Sequence, residues 1–196
     1  PAGPVPIVPA AILYDLSIGA PAKPDAAMGY AACEAASDAP VEQGSVGAGT
    51  GCRIGAMMGN ELATKGGIGS ACIDLGDGLL VAALVAVNAA GDVLDEDGRI
   101  LAGLRAPEGG FADAMSMMRA MARMSEPRTT RENTVIGVVA TNARLNKEGV
   151  NKVAQMAHDG LARAVRPAHT MFDGDTIFVL ATGQIDANVT AIGAKG

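Results

Sequence analysis

The sequence predicts a single α/β domain over residues 1–196, with an apolar sheet sandwiched between two layers and helices packed on it. Three observations predict it. Residues 79–88 are apolar at odd and even positions alike, the pattern of a strand buried on both faces. Residues 147–166 set Val150, Val153, Ala157, Leu161 and Ala164 on one side at helical spacing, and Pro167 stops the run. The composition is 49% hydrophobic but only 3% aromatic, with Gly 26, which suits elements brought close by small side chains.

In chain order, residues 6–16 read as an extended segment ending in Ile12-Leu13-Tyr14-Asp15-Leu16, so Tyr14 is expected near a strand end. Pro24 and Asp25 open an alanine-rich helix to about Ser37, the proline suiting the first turn and the carboxylate the positive helix end. This helix is expected against the sheet. Two glycine-rich stretches, 44–51 and 65–70, flank a loop carrying Met57, Met58 and Asn60. Such density brings backbone close to something, but a phosphate loop needs Gly-Lys-Ser/Thr directly before a helix, and here Lys65 precedes the glycines.

Residues 70–75, 79–88 and 92–94 read as consecutive strands with turns at Asp77-Gly78 and Ala90-Gly91. Residues 111–124 read as a methionine-rich helix in which Met117, Met121 and Met124 form an apolar stripe suited to core or subunit contact. Residues 125–132 read as polar and flexible, and 134–143 and 176–181 as strands. No internal repeat or second domain is read.

A net charge of −6, from 15 basic and 21 acidic residues without a basic cluster, argues against nucleic acid or an anionic membrane as partner. Cys33, Cys52 and Cys72 fit neither a zinc pattern nor a disulfide framework, so a reducing cytoplasm is the expected compartment. The longest apolar run, 79–87, is too short to cross a bilayer, and no charged leader precedes a hydrophobic segment.

Asn133-Thr134 opens the β-rich run 134–143. Its plain reading is the start of a buried strand. Its chemical reading is a cleavage site: a cut before Thr134 would free an α-amino group with a pKa near 8, which can take the proton of the same residue's hydroxyl at neutral pH. With only two histidines, a serine–histidine arrangement has little material. Around Thr134, polar residues stand at strand ends: Asn88, Lys65, Tyr14, and the acidic pair of Asp173 and Asp175.

These blocks resemble the family of self-cleaving aminopeptidases and amidases typified by L-aminopeptidase D-Ala-esterase/amidase, the β-peptidyl aminopeptidases and the 6-aminohexanoate-oligomer (nylon oligomer) hydrolase. The stretches carrying the resemblance are Ala11-Ile12-Leu13-Tyr14-Asp15-Leu16, Gly47-Ala48-Gly49-Thr50-Gly51, Lys65-Gly66-Gly67-Ile68-Gly69, Val85-Ala86-Val87-Asn88, Asn133-Thr134 through Thr141-Asn142-Ala143, and His169-Thr170 with Asp173-Gly174-Asp175-Thr176. The resemblance implies a four-layer αββα N-terminal-nucleophile-hydrolase-like fold. It implies a precursor that cuts itself between Asn133 and Thr134, giving a 1–133 part and a 134–196 part that stay together. By position, Thr134 is implied as nucleophile and base, Asn88 and Tyr14 as oxyanion donors, and Lys65 as a neighbour of the nucleophile. Asp173 and Asp175 stand where some relatives have serine and glutamate, a pattern closer to the nylon-oligomer hydrolase. The partner implied is a small amide or peptide substrate, with no metal or organic cofactor. The assembly expected is a homo-oligomer, a tetramer or larger.

Each residue also has a plainer reading: Asn88 as a turn residue, Tyr14 as a satisfied core tyrosine, Lys65 as a solvated lysine, Asp173-Gly174-Asp175 as a turn with capping carboxylates, and His169 as structural. Relatives carry further strands before the equivalent of Val5 and a helix beyond the equivalent of Gly193. The fold is therefore expected to lack outer elements, which would leave apolar surface open. Two other functional readings stay open: an uncleaved, inactive relative acting as a binding or assembly subunit, and a small-molecule binder without chemistry.

Overall fold

The computed structural model describes residues 3–123, 133–187 and 192. In chain order the elements are helix α1 (Ala26–Glu34), strands β1 (Arg53–Ile54), β2 (Thr64–Lys65), β3 (Gly67–Asp74), β4 (Leu80–Asn88), β5 (Asp92–Leu94) and β6 (Ile100–Ala102), helix α2 (Ala114–Met121), strand β7 (Thr134–Ala143), helix α3 (Lys147–Ala164), and strands β8 (Val165–Arg166) and β9 (Thr176–Ile185).

The long apolar runs form the main sheet, in the order β3-β4-β7-β9. β3, β4 and β7 pair antiparallel, and β9 joins β7 in parallel. A parallel pair needs a crossover, and α3 supplies it. Asn146 caps α3 by accepting the Gly149 amide at 2.8 Å. The helix lays Val153 against Leu75, Leu79, Val139 and Ala143. Burying one such valine contributes about 1.5–3 kcal/mol.

Side chains alternate along β7. Val135, Gly137, Val139, Thr141 and Ala143 are all buried, and Val139 and Ala143 share their cluster with Val153 of α3. Thr134, Ile136, Val138, Ala140 and Asn142 project from the opposite face. A second cluster of Ala89, Val135 and Val165 lies beneath the start of β7 and packs against Leu161. The opposite sheet face is only half covered among the described residues, with Leu80 and Leu180 exposed on it.

Several expectations shift. No strand forms over residues 3–25, so Tyr14 lies in an irregular extended segment that supplies no strand end. α1 exists, capped by Asp25, but none of its residues is buried, so it does not pack on the sheet. Its apolar residues are mostly alanines, too small and too evenly spread to define a buried face. α2 is shorter than its methionine pattern suggests because Asp113 takes the N-cap, accepting the Ser116 amide at 2.8 Å. Met124 and residues 125–132 lie outside the described residues. β5 leaves the main sheet and pairs with β6 and β8 in a sheet of its own. The glycine stretches pack backbone on backbone: a β-carbon on Gly49 would come within 2.5 Å of the Gly44 carbonyl oxygen and the Ile68 amide.

Candidate active site

Asn88 and Thr134 are direct partners across β4 and β7. That register sets both side chains on the sheet face away from α3, with β-carbons about 5 Å apart. Asn88 is fully buried as the last residue of β4, which removes its turn reading. Its Oδ1 accepts the Arg53 amide at 2.9 Å, and its Nδ2 donates to the Tyr14 carbonyl at 3.4 Å.

Asn133 and Thr134 are 7% and 9% exposed, so the peptide bond between them is buried. The Thr134 hydroxyl donates to the Asn133 carbonyl oxygen at 2.6 Å. The Gly174 amide donates to the same oxygen at 3.0 Å. Two donors on one carbonyl draw electron density toward its oxygen and leave its carbon more open to attack. Glycine suits position 174 because a β-carbon there would stand 3.2 Å from Thr134 Oγ1.

The acidic pair brackets this peptide. Asn133 and Asp173 form an isolated parallel bridge just ahead of β9. Asp173 Oδ1 accepts the Ala90 amide at 3.0 Å, and Oδ2 accepts the Thr170 hydroxyl at 2.6 Å. Burial pushes the Asp173 carboxyl above the usual carboxylate range, helped by the nearby Asp175 charge and opposed by the Thr170 and Ala90 donors. Asp175 Oδ1 accepts the Val135 amide at 2.9 Å, one peptide beyond Thr134. Its Oδ2 accepts the His169 amide at 3.0 Å and lies 2.9 Å from His169 Nδ1. Asn133, Thr134, Thr170, Met171, Asp173 and Gly174 line an open cleft of about 270 Å³.

The structure thus brings Asn133, Thr134, Asn88, Asp173 and Asp175 together. Lys65 stands at the same sheet end, next to the β3–β4 pair Gly67 and Val87, but its ammonium donates to the Gly49 and Gly66 carbonyls at 2.8 Å each. Tyr14 meets Asn88 through its backbone carbonyl, not its phenol, and the residue is 39% exposed. Sequence reasoning missed the Gly174 and Ala90 amides, since a backbone donor has no residue type to reveal it. Thr170 had a signal: a threonine three positions before an aspartate favours a local hydroxyl–carboxylate turn. Among the described residues no cluster of three or more His, Cys, Asp or Glu could hold a metal, and no helix is long and apolar enough to cross a membrane.

The model of peptidase family S58 matches residues 2–193. An uncharacterized aminopeptidase of Mycobacterium leprae is 43% identical over 209 residues, covering 96% of this chain and 53% of that protein. A 6-aminohexanoate-oligomer endohydrolase of Kocuria sp. is 32% identical over 193 residues, covering 97% of this chain and 54% of its own length. The chain spans about half the length of the curated relatives it matches. Among solved structures, a β-aminopeptidase of Burkholderia sp. superposes with a TM-score of 0.53 at 27% identity, over 87% of this chain and 41% of that one. The L-aminopeptidase D-Ala-esterase/amidase of Ochrobactrum anthropi, a variant of the N-terminal-nucleophile hydrolase fold, gives 0.53 at 22% identity over 80% of this chain and 37% of that one, a likeness of fold.

Proposed function

The chain belongs to peptidase family S58, a family of amide hydrolases, and from that premise we propose that it cleaves itself between Asn133 and Thr134 and then hydrolyses small amides with Thr134 as nucleophile. The observation that carries the reading is the doubly donated Asn133 carbonyl, reached by the Thr134 hydroxyl at 2.6 Å and the Gly174 amide at 3.0 Å. Thr134 Oγ1 attacks the Asn133 carbonyl carbon through a five-membered ring. Negative charge collects on the carbonyl oxygen, where the Gly174 amide stabilises it. The C–N bond breaks as Thr134 nitrogen gains the proton lost by Oγ1, leaving an ester. Water then hydrolyses that ester, releasing the Asn133 carboxylate and restoring the Thr134 hydroxyl beside its freed α-amine.

In the processed enzyme the same α-amine serves as base for the hydroxyl. Asn88, directly across from Thr134, is the side-chain donor for the substrate oxyanion. Asp173, its carboxyl raised by burial, lines the cleft beside the scissile peptide, and Asp175 is placed to orient the new terminus. Lys65 and Tyr14 keep only neighbouring places in this scheme. The substrate class, peptides or 6-aminohexanoate oligomers, is proposed from what the relatives' names state. Assembly into homo-oligomers is proposed from exposed apolar residues such as Leu80 and Leu180.

Mass analysis is the test. Two fragments meeting at Asn133/Thr134 are expected from the unmutated protein, and one uncut chain from Thr134→Ala. A single unmutated chain of 19.6 kDa would instead support the uncleaved binding subunit.

A further inference from the structure

We propose that His169 is a positioning residue for self-cleavage, acting through Asp175 on the peptide that follows Thr134; this rests on the self-cleavage reading above. Asp175 is the only side chain of the cleft region, among the described residues, whose two carboxylate oxygens join the start of β7 to the loop before β9. Oδ1 takes the Val135 amide at 2.9 Å. Oδ2 takes both the His169 amide at 3.0 Å and the His169 ring at 2.9 Å. With its side chain 3% exposed, this carboxylate is oriented by those donors and not by water.

His169 is itself held in an uncommon way. Its backbone has φ +56, in the left-handed region that a β-carbon disfavours. Its ring meets His158 of α3 edge to face, with centroids 4.8 Å apart. Its Nε2 lies 3.5 Å from the His158 carbonyl oxygen. Both ring nitrogens thus face acceptors, Nδ1 the Asp175 carboxylate and Nε2 the His158 carbonyl, so the ring is held at both edges. Asp175 stands in front of the ring and His158 of α3 behind it. α3 therefore braces the ring, the ring orients the carboxylate, and the carboxylate fixes the Val135 amide. If that peptide swings, the Thr134 hydroxyl loses its place beside the Asn133 carbonyl, which it now contacts at 2.6 Å through the oxygen.

The test is a variant series at one position, read by the rate of self-cleavage, which needs no substrate. Asparagine keeps an N–H donor the same number of bonds from the backbone and tolerates positive φ. Alanine removes the donor and keeps the strain; glycine removes both. His169→Ala and His169→Gly should each cleave about tenfold or more slowly, while His169→Asn stays within about threefold of the unmutated chain. Melting temperatures measured beside the rates show whether each variant folds. Unmutated rates in the alanine and glycine variants would overturn the proposal, as would a glycine variant that recovers the full rate while alanine stays slow, since backbone strain would then be the whole effect. An unmutated protein that never cleaves overturns the self-cleavage reading first and this proposal with it.

Discussion

Thr134 and Thr141 stand near the two ends of β7, each beside an asparagine, and each hydroxyl donates to a carbonyl. Their fates differ. Thr141 faces the α3 side, gives its proton to the Leu80 carbonyl at 2.8 Å across the sheet and accepts the Ala143 amide at 3.2 Å. Its neighbour Asn142 accepts the Leu80 amide and donates to the Gly78 carbonyl, closing the β3–β4 turn. Apart from the local Ala143 contact, these groups tie β7 to the start of β4 and the turn before it. Thr134 faces the other way, and its hydroxyl turns back onto the carbonyl of its own preceding residue, which already holds the Gly174 amide. The same residue types make a structural clasp where the acceptor belongs to a neighbouring strand. In the proposed self-cleavage they make a reactive peptide where the acceptor is the preceding residue's own polarised carbonyl.

The sharpest way to break this contrast is to remove each hydroxyl in turn. Thr134→Ala should abolish self-cleavage and amide turnover while leaving the melting temperature nearly unchanged; Thr134→Ser, which keeps the hydroxyl, should retain part of both. Fragment analysis by mass spectrometry reads the outcome. A cleaved alanine variant would remove Thr134 from the chemistry.

Next in size is Asn88→Ala. It removes a donor that matters once charge develops, so kcat should fall by about a hundredfold with a smaller change in KM. The variant should also lose about 1–3 kcal/mol of stability, because the Arg53 amide would be left without its acceptor. A stability loss with unchanged kcat would make Asn88 another clasp of the Thr141 kind.

Thr141→Val is the counterpart. It leaves the Leu80 carbonyl and the Ala143 amide each short of a partner and should cost about 1–3 kcal/mol, seen as a lower denaturant midpoint, with self-cleavage unaffected.

The smallest effect is on pH dependence. Burial raises the Asp173 carboxyl above its ordinary 3.8, so the folded chain keeps that proton to a higher pH than the unfolded chain does. Its stabilising contribution is complete below about 3.8 and declines as pH rises through the folded value. In the uncleaved Thr134→Ala background, adding Asp173→Asn should flatten this decline in denaturation midpoints from pH 4 upward. A residual slope of the same sign is expected from Asp92, whose carboxyl is also raised, by burial first.

The sequence by itself determined the elements whose signal is periodic. The unbroken apolar run of β4, the β-rich run of β7 and the helical spacing of α3 are each set by burial of neighbouring side chains, and each appears where the pattern puts it. It also marked Asn133-Thr134, Asn88 and the acidic pair, because a polar residue at the end of an apolar run must find a partner once buried. Tertiary structure decided the rest. The N-terminal segment carries strand-like residues, yet it pairs with no strand, and so Tyr14 comes to Asn88 by its carbonyl. Lys65, expected as a neighbour of the nucleophile, has two carbonyls of the glycine loops brought to its ammonium. The donors that single out the Asn133 carbonyl and orient Asp175 are a backbone amide of Gly174 and the strained residue His169. A backbone N–H is present at nearly every position, and only the register of β7 against the loop before β9 selects the one that matters.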